Sequence, residues 1–239
     1  MTKLRDRNSQ GASIYMWRGH ADERWRIDSA AFRRLSTKNS RPSESDVVHY
    51  EKRLLSEATH RGFRRYEGAE LSDFELLARL QHHGAATRLI DTTRNALVGL
   101  YFACAEYPRL PGILFGMHCW HLGGGEGTPL KDQYEPRMAS LHKYDHPQTW
   151  EPPVVSPRVY AQHSQFVYST IKDSTYGSLA LGDTNKSLLA IRILPKMKGI
   201  SLKVLSETYD INLTTLFPDL DGFGRSQAVQ REEWSNYRW

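Results

Sequence analysis

Gln81-His82-His83-Gly84-Ala85-Ala86-Thr87-Arg88-Leu89-Ile90-Asp91-Thr92-Thr93 runs almost directly into Ala96-Leu97-Val98-Gly99-Leu100-Tyr101-Phe102-Ala103-Cys104. The second stretch has almost no polar face and reads as a buried helix. The alternation from Thr87 to Thr92 predicts a short strand, with Arg88 and Ile90 on one side and Leu89 and Asp91 on the other. Imidazoles, a guanidinium, a carboxylate and hydroxyls therefore gather where a buried strand meets a buried helix. Polar groups at the edge of a core must be paired or used, so this junction is where a site is expected.

Upstream, Ser72-Asp73-Phe74-Glu75 is a capping box for a helix running to His83, with Gly84 as its terminator. Ser43 to about Gly62 reads as an amphipathic helix, with Val47, Tyr50, Leu54, Leu55 and Ala58 at helical spacing and hydroxyls and acids at its start. Ala12 to Arg18 reads as a strand ended by Gly19. Downstream, Pro108 closes the buried helix and Gly112 to Trp120 is a further core strand. His121 to about Pro157, rich in Gly, Pro and His, reads as an irregular insertion or a functional lid. Gln165–Ile171 and Ser187–Leu194 alternate like strands, and the tail from Lys198 predicts one or two short helices around Leu213–Pro218. No repeat or linker divides the chain. The expectation is a single α+β domain over residues 1–239, its core at about 12–225, with a mixed or antiparallel sheet flanked by helices.

The 239 residues are 39% hydrophobic and include six Trp, twelve Tyr and eight Phe, a composition that argues for a folded globule and against disorder. No apolar run approaches the roughly 18 residues of a membrane span, and residues 1–8 lack the apolar segment of a secretory signal. A cytoplasmic protein is expected, with Cys104 and Cys119 as reduced thiols. The net charge of +5 is uneven: residues 1–65 hold 15 Lys and Arg against 8 Asp and Glu, the rest 17 against 19. Such a basic segment attracts phosphate-rich partners, although a plain solvated face would look the same.

Arg18 stands where a strand ends at Gly19, so its fork of donors suits bidentate capture of a phosphate, with the glycine backbone open to a ligand. Trp25 and Arg33-Arg34 make a second cationic and aromatic group. Asp91, Thr92 and Thr93 read either as helix caps or as site residues, and His82 and His83 either as charge compensation for a helix end or as proton acceptors. His118 and Cys119 point to opposite faces of a strand, so no metal site is assigned. Walker, Rossmann, His-Glu-x-x-His and Gly-x-Ser-x-Gly patterns do not occur.

Trp17-Arg18-Gly19-His20 with Trp25 and Phe32-Arg33, the Leu80 to Cys104 block, Arg158-Val159-Tyr160-Ala161-Gln162 with Phe166, and Leu216-Phe217-Pro218-Asp219-Leu220-Asp221-Gly222 together resemble the FRG domain family, in its order, from residue 12 to about 225. Trp17 replaces the usual Phe or Tyr, and Thr92 stands where an aromatic residue usually follows the Asp. The opening motif also resembles the NAD-binding start of Arg-Ser-Glu ADP-ribosyltransferases. That second resemblance implies an ADP-ribosyltransferase-like fold with NAD as co-substrate, Arg18 on its pyrophosphate, and a hydroxyl motif near Asp91-Thr92-Thr93. It also implies a late-strand catalytic position near Gln162, where those enzymes carry Glu.

Because Gln162 cannot act as a base, Asp91 is expected to supply the negative charge that stabilises the ribosyl cation, with His83 as proton acceptor. The catalytic expectation is thus Arg18, His83, Asp91 and Gln162, with Arg18, Gly19, His20, Trp25, Arg33, Arg88 and Thr92 holding NAD. Function is expected to be NAD-dependent transfer to a macromolecule, RNA or DNA rather than protein. A stand-alone transferase of this kind implies a toxin held by an antitoxin, or antiphage defence. Two alternatives stand beside it: a nuclease or NAD glycohydrolase built on His82, His83, Arg88 and Asp91, and a non-catalytic nucleotide- or nucleic-acid-binding module.

Overall fold

A computed structural model describes residues 15–38, 41–125, 130–153, 156–172, 174–182 and 184–228. The chain opens with β1 (Tyr15–His20), α1 (Ala30–Ser36), α2 (Glu44–His60), a small hairpin of β2 (Arg65–Tyr66) and β3 (Ala69–Glu70), and α3 (Asp73–His82). Then come β4 (Ile90–Thr93), α4 (Ala96–Cys104), β5 (Gly112–His118), β6 (Gly123–Gly125), α5 (Tyr134–Leu141) and β7 (Gln148–Trp150). The last part holds α6 (Pro157–Ala161), β8 (Ser164–Tyr168), α7 (Thr184–Ser187), β9 (Leu188–Ile193), α8 (Pro195–Tyr209), α9 (Leu213–Leu216) and α10 (Leu220–Ser226). The expected strand over residues 12–14 lies outside the described residues.

Local chemistry sets the helix ends. Ser43 with Asp46 and Ser72 with Glu75 form reciprocal capping boxes, and Asn95 caps α4 by accepting from the Leu97 N–H. Gly84, at φ +86°, ends α3 in a backbone conformation that a side chain would strain.

Seven strands form one sheet in the order β6-β7-β8-β4-β1-β5-β9, antiparallel throughout except for the parallel β6–β7 pair. The fold is α+β with a mixed sheet. Side-chain alternation divides the core. Ile90, Met16, Phe115, Met117 and Val167 fill one face with Ile27, Leu179 and Leu181. The other face is covered in two halves. Leu89, Phe166, Tyr168 and Trp150 pack under α2, α3 and α5, and a separate cluster joins α4 to Leu205 of α8 and Leu216 of α9.

Glycine at position 19 permits the second half to close. A Cβ there would lie 2.0 Å from the Gly99 carbonyl oxygen and 2.5 Å from the Ala103 nitrogen, so α4 rests on the bare strand. Lys198, buried, then ties α8 down by donating from Nζ to the carbonyls of Ala21 (2.7 Å), Glu106 (3.0 Å) and Tyr107 (3.1 Å).

Two expectations are corrected. The described part of the 121–157 segment is not irregular throughout: it supplies β6, α5 and β7, and with them one end of the sheet. The tail begins with the 15-residue α8, hidden from periodicity because apolar Met197, Ile200 and Val204 lie on its exposed side, apart from buried Leu205.

Candidate functional site

The two central strands β1 and β4 meet in register at one pair only, Trp17 opposite Thr93. Arg18 spans the remaining gap, donating from Nη1 to the Asp91 carbonyl oxygen at 2.7 Å. Beside this fork lies a cavity of about 300 Å³, between the two helical halves of the covered face. Trp17, Arg18 and Gly19 of β1, Asp91, Thr92 and Thr93 of β4, Gln81 and His82 of α3, and Gly99 and Phe102 of α4 line it. Arg158, Gln162, Ser164 and Phe217 close it from the later chain. Its volume is at the lower bound for a small-molecule pocket.

Arg18 is held from behind. Its Nε donates to Nε2 of His20 at 2.7 Å, so the ring must carry its proton on Nδ1, which faces the Trp25 carbonyl at 3.1 Å. Burial and the adjacent Arg18 charge push the His20 pKa down to about 3, so the ring is a neutral acceptor at physiological pH. Burial also lowers the Arg18 pKa, opposed by Asp91 and reinforced by Arg33 on α1. Among the described residues the Nη2 amino group of Arg18 has no hydrogen-bond partner, and it is available to an anion.

The Asp91 carboxylate forms no ion pair among the described residues; Gln81 fixes it by donating from Nε2 to Oδ1 at 2.8 Å. Gln81 is itself oriented by the Thr87 hydroxyl, which donates to its Oε1. His82 is bonded through Nδ1 to the Ser156 hydroxyl at 2.8 Å, and burial lowers its pKa, with Asp91 opposing and Arg158 adding to the shift. Gln162 donates from Nε2 to the Leu216 carbonyl at 2.9 Å, which leaves Oε1 as an acceptor. Arg158 forks onto Asp219 through Nε to Oδ2 and through Nη2 to Oδ1 (2.8 Å), and stacks over Phe217 with its guanidinium carbon 5.2 Å from the ring centre.

Of the expected site residues, Arg18, Gly19, Asp91, Thr92 and Gln162 share this cavity. The others need correction. Arg88 is buried against α2 and α5, where Nε donates to Glu51, Nη1 to Glu44 and Nη2 to the Tyr134 hydroxyl, so no donor fork remains for a cofactor. His83 is the exposed C-cap of α3 and lies outside the cavity, which its neighbour His82 enters instead. His20 sits behind Arg18. Trp25 packs edge-on against Tyr107 at 5.5 Å, also away from the cavity. Gly19 serves the approach of α4 rather than an open backbone. Gln162 is the C-cap of α6, not a strand residue, and the Thr92 hydroxyl is spent on the Gln165 carbonyl at 2.9 Å. Arg33 stands exposed on α1, near enough for its charge to act on Arg18.

Sequence reasoning did not assign Trp17, Gln81, Phe102, Arg158 or Phe217 to the site. Trp17, Arg158 and Phe217 belong to the quoted motifs, and the signal was their recurrence in motifs with no other evident use. Phe102 carried none, because an aromatic residue in an apolar helix looks like core.

Residues 13–109 match the FRG domain. No curated protein and no solved structure matches the chain. The FRG match holds Trp17, Arg18, Gln81, His82, Asp91 and Phe102, and therefore one side of the cavity. Arg158, Gln162 and Phe217 lie beyond it. Among the described residues no helix is long and apolar enough to cross a membrane, and no group of three or more His, Cys, Asp or Glu is placed to hold a metal ion.

Proposed function

We propose that the cavity binds NAD and transfers its ADP-ribose to a macromolecule, RNA favoured, as a toxin held by a protein inhibitor or as antiphage defence. The reading rests on one observation: Arg18 and Asp91, assigned from their order along the chain, line the same cavity as Gln162. Arg18, through Nη2, and the charge of Arg33, near enough to act on it, suit a pyrophosphate. Trp17, Phe102 and Phe217 offer flat apolar surface to the nicotinamide. The enclosed volume suits the nicotinamide–ribose end, with the remainder of the dinucleotide lying along the cationic side.

In the reaction the C1′–nitrogen bond breaks and its electron pair leaves on nicotinamide. The ribosyl cation that develops is stabilised by the carboxylate of Asp91, held in place by Gln81, while the Gln162 carbonyl accepts from a ribose hydroxyl. The acceptor's oxygen or nitrogen bonds to C1′ and gives its proton to neutral His82. His82 replaces His83 in this role because only His82 lines the cavity. The nuclease alternative weakens on the same ground, since His83 and Arg88 stand apart from His82 and Asp91.

The test is incubation of the purified protein with NAD labelled on the adenylate, with and without RNA, DNA and cell lysate. Label carried onto a polymer is the expected outcome. Nicotinamide release without transfer makes the protein a glycohydrolase, shortened polymer makes it a nuclease, and intact NAD with intact polymer in every mixture ends the enzymatic reading. Asp91→Ala and His82→Ala are expected to lower turnover about 10²-fold or more, as loss of a charge stabiliser or a general base does, whereas His83→Ala leaves it unchanged.

A further inference from the structure

The edge formed by β9 and α8 carries an exposed apolar surface that the cavity does not use. Leu189, Ile191, Leu194, Met197, Ile200 and Val204 are between 39% and 57% exposed and follow one another along a single strand–helix unit. β9 is the last strand of the sheet, and β5 is its only strand partner among the described residues. Natural edges are blunted by charge, proline, bulges or cover, because a bare apolar edge recruits another strand. Here the strand Leu188-Leu189-Ala190-Ile191-Arg192-Ile193 holds one charge, and Arg192 is engaged with Glu23. Apolar patches of this kind on a soluble protein mark an interaction site.

Charge selects the occupant. Residues 186–204 contain Lys186, Arg192, Lys196, Lys198 and Lys203 and no Asp or Glu. Lys186 and Lys196 are exposed and have no carboxylate partner among the described residues. A second copy docked edge to edge would face these cations with its own, with no acid in the segment to offset them. We propose that β9 accepts a strand from a different protein, one that alternates apolar and acidic residues. Its main chain continues the sheet, its apolar side chains cover Leu189 and Ile191, and its carboxylates meet Lys186 and Lys196. This surface stands apart from the cavity, so the inference holds whether or not the chain turns over NAD.

The probe is a short synthetic peptide, matched in length to β9, that alternates valine and glutamate, compared with a valine–lysine peptide of the same length. Binding to the full chain is read by fluorescence anisotropy, and the contact by amide hydrogen exchange. The acidic peptide is expected to bind at least about tenfold more tightly than the basic one, to lose that advantage in a Leu189→Glu, Ile191→Glu double variant, and to slow exchange at residues 188–193. The wild-type exchange pattern decides the matter even if the double variant folds poorly. Equal binding of the two peptides, or protection that spares residues 188–193, overturns the proposal. So does dimerisation of the chain through this face in sedimentation, and so do phosphatidylglycerol vesicles that protect α8 alone.

Discussion

His20 shows how a residue can serve a site without touching its contents. Its ring accepts from Arg18 and donates to the Trp25 backbone, a relay that works only while the imidazole is neutral. The unfolded chain takes up this proton near pH 6.5, whereas the folded chain holds it off until about pH 3. Between those values the unfolded state binds more protons, so the stability due to His20 is complete above pH 6.5 and is lost as pH falls through the window. His20→Gln, which keeps one acceptor and one donor, is expected to remove that acid slope in urea titrations and to preserve nucleotide binding through Arg18. His20→Ala is expected to raise the NAD dissociation constant about tenfold, with Arg18 no longer aimed. A steep acid slope surviving in His20→Gln would show that another group carries it.

Arg88 makes the opposite point at the same scale. The sequence offered a guanidinium beside Asp91, and strand alternation placed the two on opposite faces; what it lacked was the long-range partner. Glu51 and Glu44 lie on α2, and their carboxylates convert a candidate ligand into a buried structural cation. Arg88→Met leaves Glu51 buried and unpaired, which costs about 3–5 kcal/mol and is expected as a drop in the urea midpoint. Were Arg88 a cofactor ligand, the variant would instead keep its stability and lose NAD affinity.

Elements carry the legibility of this chain unevenly. α2, α3 and α4 were readable because capping residues and apolar spacing agree, and the structure places each within a few residues of its expected bounds. β7 and α8 were not. β7 is three residues long and takes its identity from pairing with β6 and β8, and α8 spreads its apolar residues over both faces. The site divides in the same way: the β1 and β4 residues could be proposed from their strand ends, but Arg158 and Phe217 enter only through tertiary closure of α6 and α9. The contact of α4 with β1 is the element-level feature most open to test. Gly19→Ala sets a methyl group against the α4 backbone, where the neighbouring atoms cannot yield as a flexible side chain can. The expected cost is about 1–3 kcal/mol or more, read as a lower thermal midpoint with weakened nucleotide binding. A Gly19→Ala protein with the parent's midpoint and affinity would mean that α4 does not rest on β1 as described.

At the scale of the whole molecule, sheet order separates what is matched from what can fold. The FRG match ends at residue 109, before β5 begins at Gly112. β1 is hydrogen-bonded along its full length to β5 and at one pair to β4, while β4 draws its ladder from β8. Both central strands therefore depend on partners that follow the matched segment, and without them β1 and β4 share a single register pair and expose one unpaired edge each. A peptide spanning residues 13–109 is expected to retain helix from α2 and α3 but to show no cooperative unfolding and no NAD-induced stabilisation. The full chain is expected to gain about 2.7 kcal/mol at a ligand concentration of 100 Kd, and Arg18→Ala to abolish that gain, read against the variant's own ligand-free midpoint. Circular dichroism melts of the two chains, with and without NAD, check all three outcomes. A cooperative transition in the shorter peptide would mean that the central strands hold together without β5 and β8, and that the later chain adds walls to a site rather than completing a fold.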